Sequence, residues 1–392
     1  MPLAAVYESI NIMASSAPGG KNDSGKKAVL HIENLPLLLT SGSLESLSTE
    51  EKWLPQFMRQ AIVRSISNRI AGLLLVGTSA FLVSCTTTLA RDNTIKLTSV
   101  ELLFWRSLVS WLLTLVAIAA TGTAMRVKKE FYRPLVLRCI TGCTTMILTI
   151  IVLQNVAVSN ATVITYFSPL LAFVLAAFFL NEKPRVFEVG CSMVCVVGAV
   201  LVVRPAFLFG KNGSTDTKWY RRSMTSFVTS TLFGEWLAIG CAVVVVCMEA
   251  GAYVSLRSLQ KVPHLVVMHY FLLATTLVTL AAIFCLQQYE KAKTGGLSLE
   301  TWGAILGTGA LTFAEQLFLT RGFQFDGAGV LAATRLLHVG CEFVWSVVLL
   351  GTALNAWSAG GAATTAAGVL FLALHRVHNH WAVKRNMRRM LE

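Results

Sequence analysis

Charge is scarce in this chain. Only 14% of its 392 residues are Asp, Glu, Lys or Arg, against about 25% in an ordinary soluble domain. So few charges cannot clothe a water-facing surface, which excludes an ordinary soluble globular protein. Acids are scarcer than bases, 20 against 33. Proline is sparse as well, nine residues, so long helices can run with few interruptions. The apolar region has no HExxH, GxSxG, paired-aspartate or phosphate-loop pattern, which leaves an enzyme as the weaker reading. The first 30 residues lack the uninterrupted apolar run of a secretory leader, so the first membrane helix is expected to act as its own targeting signal.

What is present is apolar length, with 55% of residues hydrophobic. A hydrocarbon core of ~30 Å takes about 20 apolar residues per helical crossing. Ten such segments are expected: Ile70–Ala90, Leu102–Thr121, Leu135–Leu153, Ala161–Leu180, Val186–Val203, Trp236–Leu256, Leu265–Leu286, Trp302–Leu319, Ala328–Leu350 and Gly360–Val377. Breakers mark the links, among them "EKPR" after the fourth and "KVP" after the sixth. The chain reads as an all-α polytopic membrane protein. Residues 1–60 are rich in Ser, Gly and charge without apolar period, and are expected to form a disordered cytosolic tail.

The net charge of +13 raises the question of nucleic acid. Its placement answers otherwise, because no recognition motif accompanies it. Basic residues cluster in short loops and tails: Arg126, Lys128, Lys129 and Arg133; Lys183 and Arg185; Arg257 and Lys261; and the tail at 379–392. The opposite short loops, 154–160 and 351–359, hold no Lys or Arg. This asymmetry puts both termini in the cytosol, in a plasma membrane or endomembrane. The loop at 204–235 breaks the rule with Arg204, Lys211, Lys218, Arg221 and Arg222. The nine cysteines lie almost wholly in apolar segments. Cys139/Cys143 and Cys191/Cys195 have i,i+4 spacing, which admits a metal site or disulfide but suits small buried hydrophobes better.

The sequence also repeats. "LQNVAVSNATVITYFSPLLAFVLAAFFLNEKPRVFEVG" lies over "LTRGFQFDGAGVLAATRLLHVGCEFVWSVVLLGTALNAWSAGG" once a short insertion is allowed near Arg335. Five helices per copy is an odd number, so the second copy is expected to be inverted. That accounts for the basic link "NEKPR" facing a neutral "GTALN". The two repeats span 65–205 and 236–378, joined by a polar loop at 206–235. Inverted repeats typify secondary transporters with a substrate site near the midplane.

The run "NATVITYFSPLLAFVLAAFFLNEK…VFEVGCSMVCVVGAVLVVRP" resembles the EamA module of the drug/metabolite transporter superfamily, and "VELLFWRS" and "LRCITG" fit it too. "VLVVRPAFLFG" and "LTRGFQFDGAG" are most similar to the G subgroup of solute carrier family 35. The resemblance covers about residues 65–380. It implies a ten-helix carrier of small organic solutes, without naming the solute. The second module departs from the pattern: Arg335 and Leu336 stand in place of a Ser-Pro, and Thr352 replaces the link acid.

Charge inside a crossing costs ~2.5–3.5 kcal/mol even on insertion scales, and so invites a functional hypothesis. Arg335, His338 and Glu342 fall within roughly 60° of one another on an ideal helix. Arg335 offers a forked donor to a carboxylate or phosphate. His338 changes charge near neutral pH, and Glu342 neutralises the face when no anion is bound. The competing reading is an Arg–Glu pair that only fixes packing. The repeat places this helix opposite Tyr166, Ser168 and Pro169, whose proline frees a carbonyl. Glu249 and Glu315 are either packing partners of arginines or proton-coupling groups. Arg106 and Arg138 sit near expected helix ends, where snorkelling, anchoring at the interface and pairing between helices are the open readings. "HVGCE" cannot hold a metal, since residues 338, 341 and 342 of one helix do not converge, and no cofactor is implied. The expectation is a carrier of a small polar or anionic metabolite, its cavity lined by crossings one, three, four, six, eight and nine. Coupling would be to a proton gradient or counter-substrate. A non-transporting membrane scaffold is the rival.

Overall fold

The computed structural model describes residues 56–90, 99–155, 163–182, 184–209, 232–286, 299–350 and 355–389. Most of the expected N-terminal tail and of the loop at 206–235 lies outside them. Among the described residues the regular structure is helical, with no strand. The principal helices are α1 (Gln56–Ala90), α2 (Ser99–Thr121), α3 (Tyr132–Asn155), α4 (Ser168–Leu180), α5 (Val186–Val203), α6 (Leu232–Ser258), α7 (His264–Leu286), α8 (Leu299–Phe323), α9 (Ala328–Arg335), α10 (Leu337–Leu350) and α11 (Ala356–Arg389). Two compact units are distinguished, Gly72–Leu372 and a smaller one from Met1–Ala71 with Ala373–Glu392.

Among the described residues, eight helical stretches are long and apolar enough to cross a membrane. They match eight of the ten expected crossings; α3 and α8 occupy the other two. These two are helices of 24 and 25 residues whose apolar run is diluted by Arg133, Arg138 and Thr141 in one and by Glu315, Gln316 and four threonines in the other. The dilution has a packing reason. Thr141 is buried in α3, and Thr308, Thr312, Glu315 and Gln316 are buried in α8. The outward faces are apolar instead: Phe178 and Phe179 are 78% and 75% exposed, and Leu112, Val116, Val197 and Leu370 are exposed too. A surface of bare Phe, Leu and Val is one that lipid covers. This is an integral, multi-pass membrane protein.

Inside lipid each hydroxyl needs an internal acceptor. Thr86, Ser107, Thr114, Thr145, Thr276 and Thr308 each donate to the carbonyl four residues earlier, at 2.8–3.0 Å. Small residues bring helices close. A Cβ on Gly198 would stand 2.4 Å from Thr365 Oγ1, and one on Gly361 would stand 2.6 Å from the Gly198 carbonyl oxygen, so α5 and α11 touch backbone to backbone. Gly329 meets the Phe173 ring in the same way, joining α9 to α4. On α2, Ser110 Oγ donates to the Gly309 carbonyl of α8 at 2.7 Å.

Two expected crossings are broken. Val163–Thr165 is helical, Tyr166–Phe167 forms a turn, and α4 starts afresh at Ser168 with Pro169 in its first turn. Proline lacks the N–H that would continue the earlier helix, so Pro169 opens a helix instead of interrupting one. The second break separates α9 from α10 at Leu336. Its N–H bonds to the Ala333 carbonyl at 3.1 Å, one residue short of helical spacing. No proline announces this break.

Candidate functional site

The two breaks face a common cavity of about 160 Å³ lined by Thr145, Thr149, Thr165, Tyr166, Ser168, Pro169, Val245, Glu249, Tyr253, Ala332, Arg335, Leu336 and His338. Six of the eight expected site residues line it: Arg335, His338, Tyr166, Ser168, Pro169 and Glu249. Its walls come from α3, the broken stretch from Val163 into α4, α6, and the α9–α10 break. Of the six crossings expected, α1 and α8 contribute no lining residue.

Arg335 ends α9 at the break. Its Nη2 donates to Glu315 Oε1 of α8 at 2.8 Å, with side chains 16% and 6% exposed. Its other amino nitrogen, Nη1, is buried with no hydrogen-bond partner. A guanidinium forks two parallel donors, and here the protein satisfies only one tine. Glu315 thus stands behind the cavity as the counter-charge of Arg335. This corrects the expected pairing of Arg335 with Glu342. Because the helix breaks at Leu336, 335 and 342 do not share one continuous helical face. Glu342 instead accepts from Thr87 Oγ1 of α1 at 2.8 Å and is not among the cavity-lining residues.

His338 has a local partner. Its Nδ1 lies 2.7 Å from the Arg335 carbonyl oxygen; a carbonyl can only accept, so Nδ1 carries the proton and donates. The ring thereby serves a backbone oxygen at the helix break while remaining in the cavity wall. Glu249, on α6, accepts from Tyr253 Oη at 2.6 Å. The Tyr253 ring stacks on Phe323 of α8 with centroids 5.0 Å apart and planes 9° from parallel.

Arg138 does not snorkel. It lies nearly two turns inside α3 and is 5% exposed, with its guanidinium 4.0 Å from the centre of the Phe271 ring and Nη2 donating to Gln316 Oε1 at 3.4 Å. Cation–π contact and an amide hold this charge in the interior. Tyr253, Thr145 and Thr149 belong to the site without having been singled out in the sequence. The threonines had a legible signal: Thr141, Thr145 and Thr149 recur every fourth residue as a polar stripe on α3. Among the described residues, no group of three or more His, Cys, Asp or Glu side chains is placed to hold a metal ion.

The likeness to known proteins agrees with this architecture. Residues 70–204 match the EamA-like transporter family. The chain is 26% identical over 292 residues to solute carrier family 35 member G1 of Mus musculus, covering 74% of this chain and 75% of that one. It is 24% identical over 304 residues to the pseudopaline exporter CntI of Pseudomonas aeruginosa, covering 77% and 93%. The EamA match and these relatives support an EamA-type drug/metabolite transporter. A solved crystal structure superposes with a TM-score of 0.60 at 19% identity, covering 76% of this chain and 96% of that one, which is a likeness of fold. With relatives that are solute carriers and exporters, the chain is a membrane transporter, and the polar cavity between its broken helices is the place to look for solute.

Proposed function

We propose that this transporter carries a small anionic organic metabolite by alternating access, and that the solute's acidic group binds Arg335. The observation that carries the reading is the half-satisfied guanidinium: Nη2 is held by Glu315 while Nη1 is buried without a partner, in a residue that lines the cavity. An unmet donor on a buried cation costs more than a hydrogen bond returns, so a carboxylate or phosphate oxygen arriving there is favoured. Tyr166, Ser168, Thr145, Thr149 and Thr165 surround it with hydroxyls suited to the polar part of such a solute.

Alternating access needs two halves that rock about the site. Ten crossings in two inverted five-helix repeats supply them. Helices α3 and α8, each about 36 Å long at 1.5 Å per residue, are long enough to be the remaining two crossings. Three repeat-related pairs meet, α2 on α7, α4 on α9 and α5 on α11, which supports a two-fold axis in the membrane plane. The fourth and ninth crossings break at aligned places. Glu249 opens on the cavity and Glu315 holds Arg335, so a proton on either alters how the solute is held; these are the coupling candidates.

The test is uptake by purified protein in proteoliposomes against a panel of organic acids, amino acids and neutral sugars. Saturable uptake of anions, weakened about tenfold in affinity by Arg335→Lys, is expected, because the fork is lost and a charge-assisted bond is worth ~1.5–3 kcal/mol. Uptake of neutral solutes alone, or no flux of any solute, would contradict the reading.

A further inference from the structure

One polar cluster lies outside the cavity, where the links 181–185, 259–263 and 324–327 gather at one end of the bundle. Asn181 ends α4 in the left-handed conformation, φ 52°, and Glu182 follows. Its carboxylate is used on both sides. Oε1 accepts from Arg257 Nε, in the last turn of α6, at 2.8 Å. Oε2 accepts from the Ala328 N–H, the first residue of α9, at 3.2 Å. Arg257 reaches on to the Gln324 carbonyl at 3.0 Å, and Gln324 Nε2 donates to the Leu259 and Val262 carbonyls at 3.2 and 2.9 Å. A Cβ on Gly327 would stand 3.2 Å from Glu182 Oε2, so the bare glycine leaves the carboxylate room. One side chain of the first half thus ties together the end of α6 and the start of α9, both of the second half.

The clamp is in register with the cavity. On α6, Glu249 lines the cavity, Tyr253 stacks on Phe323 one turn on, and Arg257 follows one turn after that. The helix rises about 1.5 Å per residue, so Arg257 lies about 12 Å along α6 from the cavity carboxylate. Between them sits the Tyr253–Phe323 stack, with Phe323 fully buried. On α9, the capped N–H of Ala328 lies two turns before Arg335. A displacement of α9 that opened this end would break the Glu182 contacts, and the same helix carries the anion site at its other end.

We infer that Glu182 is a gating residue of the transport cycle, its bonds to Arg257 and to the start of α9 forming when this end of the carrier closes and breaking when it opens. This rests on the alternating-access reading. A carboxylate bonded at once to a guanidinium and to a helix N-terminus holds two elements in one geometry. Its energy is modest, as a gate requires, since both ionic partners are partly open to water.

Hydrogen exchange of the solute-free protein in nanodiscs, followed by mass spectrometry, tests it. Glu182→Gln and Arg257→Gln, singly, should each speed exchange in residues 324–331 about tenfold and leave residues 186–203 unchanged. The double variant should exceed either single by less than the product of the two effects, because the singles share the Glu182–Arg257 contact. Net uptake by Glu182→Gln should slow at least threefold. Unchanged exchange at 324–331, equal acceleration throughout the protein, or faster local exchange with unaltered uptake would each overturn the assignment. The exchange readout contains no solute, so a failed anion site, seen as unaltered affinity in Arg335→Lys, is a separate outcome.

Discussion

At the scale of single residues the cavity is governed by one ion pair. Glu315 and Arg335 meet at 2.8 Å in the interior, and removing one member strands the other. Glu315→Gln should therefore lower unfolding stability by about 3 kcal/mol, read as a drop in thermal midpoint in detergent. It should also release Arg335 Nη2. Glu249→Gln strands nothing charged, because its described partner is the Tyr253 hydroxyl. If Glu249 carries the coupling proton, the Gln variant loses pH-gradient-driven uptake and keeps exchange of preloaded solute. Full gradient-driven uptake in both Gln variants would make both acids structural. Much of this residue list was legible, since a charge in an apolar run is conspicuous. The pairing was not. Ideal helical geometry put Glu342 on the face of Arg335, but the helix breaks at Leu336 and the partner comes from α8, twenty residues earlier in the chain.

At the scale of elements, periodicity and length located the helices, while the breaks were only half visible. Pro169 marks one. The other falls at a leucine, and only the repeat, which laid Arg335-Leu336 over the Ser-Pro, pointed to it. Tertiary contacts set the rest. The seam between α5 and α11 depends on Gly198 and Gly361, whose missing side chains let the backbones approach. Gly198→Leu should force the two helices apart, costing about 1–3 kcal/mol or more, and lower the thermal midpoint by several degrees. Gly190→Leu, on the same helix with nothing within 4 Å of its Cβ position, is the control and should leave it unchanged. Equal midpoints for the two variants would contradict the seam.

At the scale of the molecule, the asymmetry of basic residues predicts cytosolic termini, with the loop at 206–235 on the far side. A cysteine introduced at Thr215 should react with an impermeant reagent on intact cells when the protein is in the plasma membrane; reaction only after permeabilisation would invert the topology. The predicted orientation would put the Glu182 clamp at the cytosolic end. The central claim concerns the cavity, and binding tests it without any need to establish flux. A ligand that binds only the folded state raises the midpoint in proportion to the logarithm of its concentration over Kd. The decisive measurement is the thermal midpoint of wild-type and Arg335→Lys protein titrated with the organic acid that the uptake panel selects. The account predicts a dose-dependent rise in wild type, a curve displaced about tenfold to higher concentration in Arg335→Lys, and similar midpoints without ligand. Superimposable titration curves for the two proteins would contradict it.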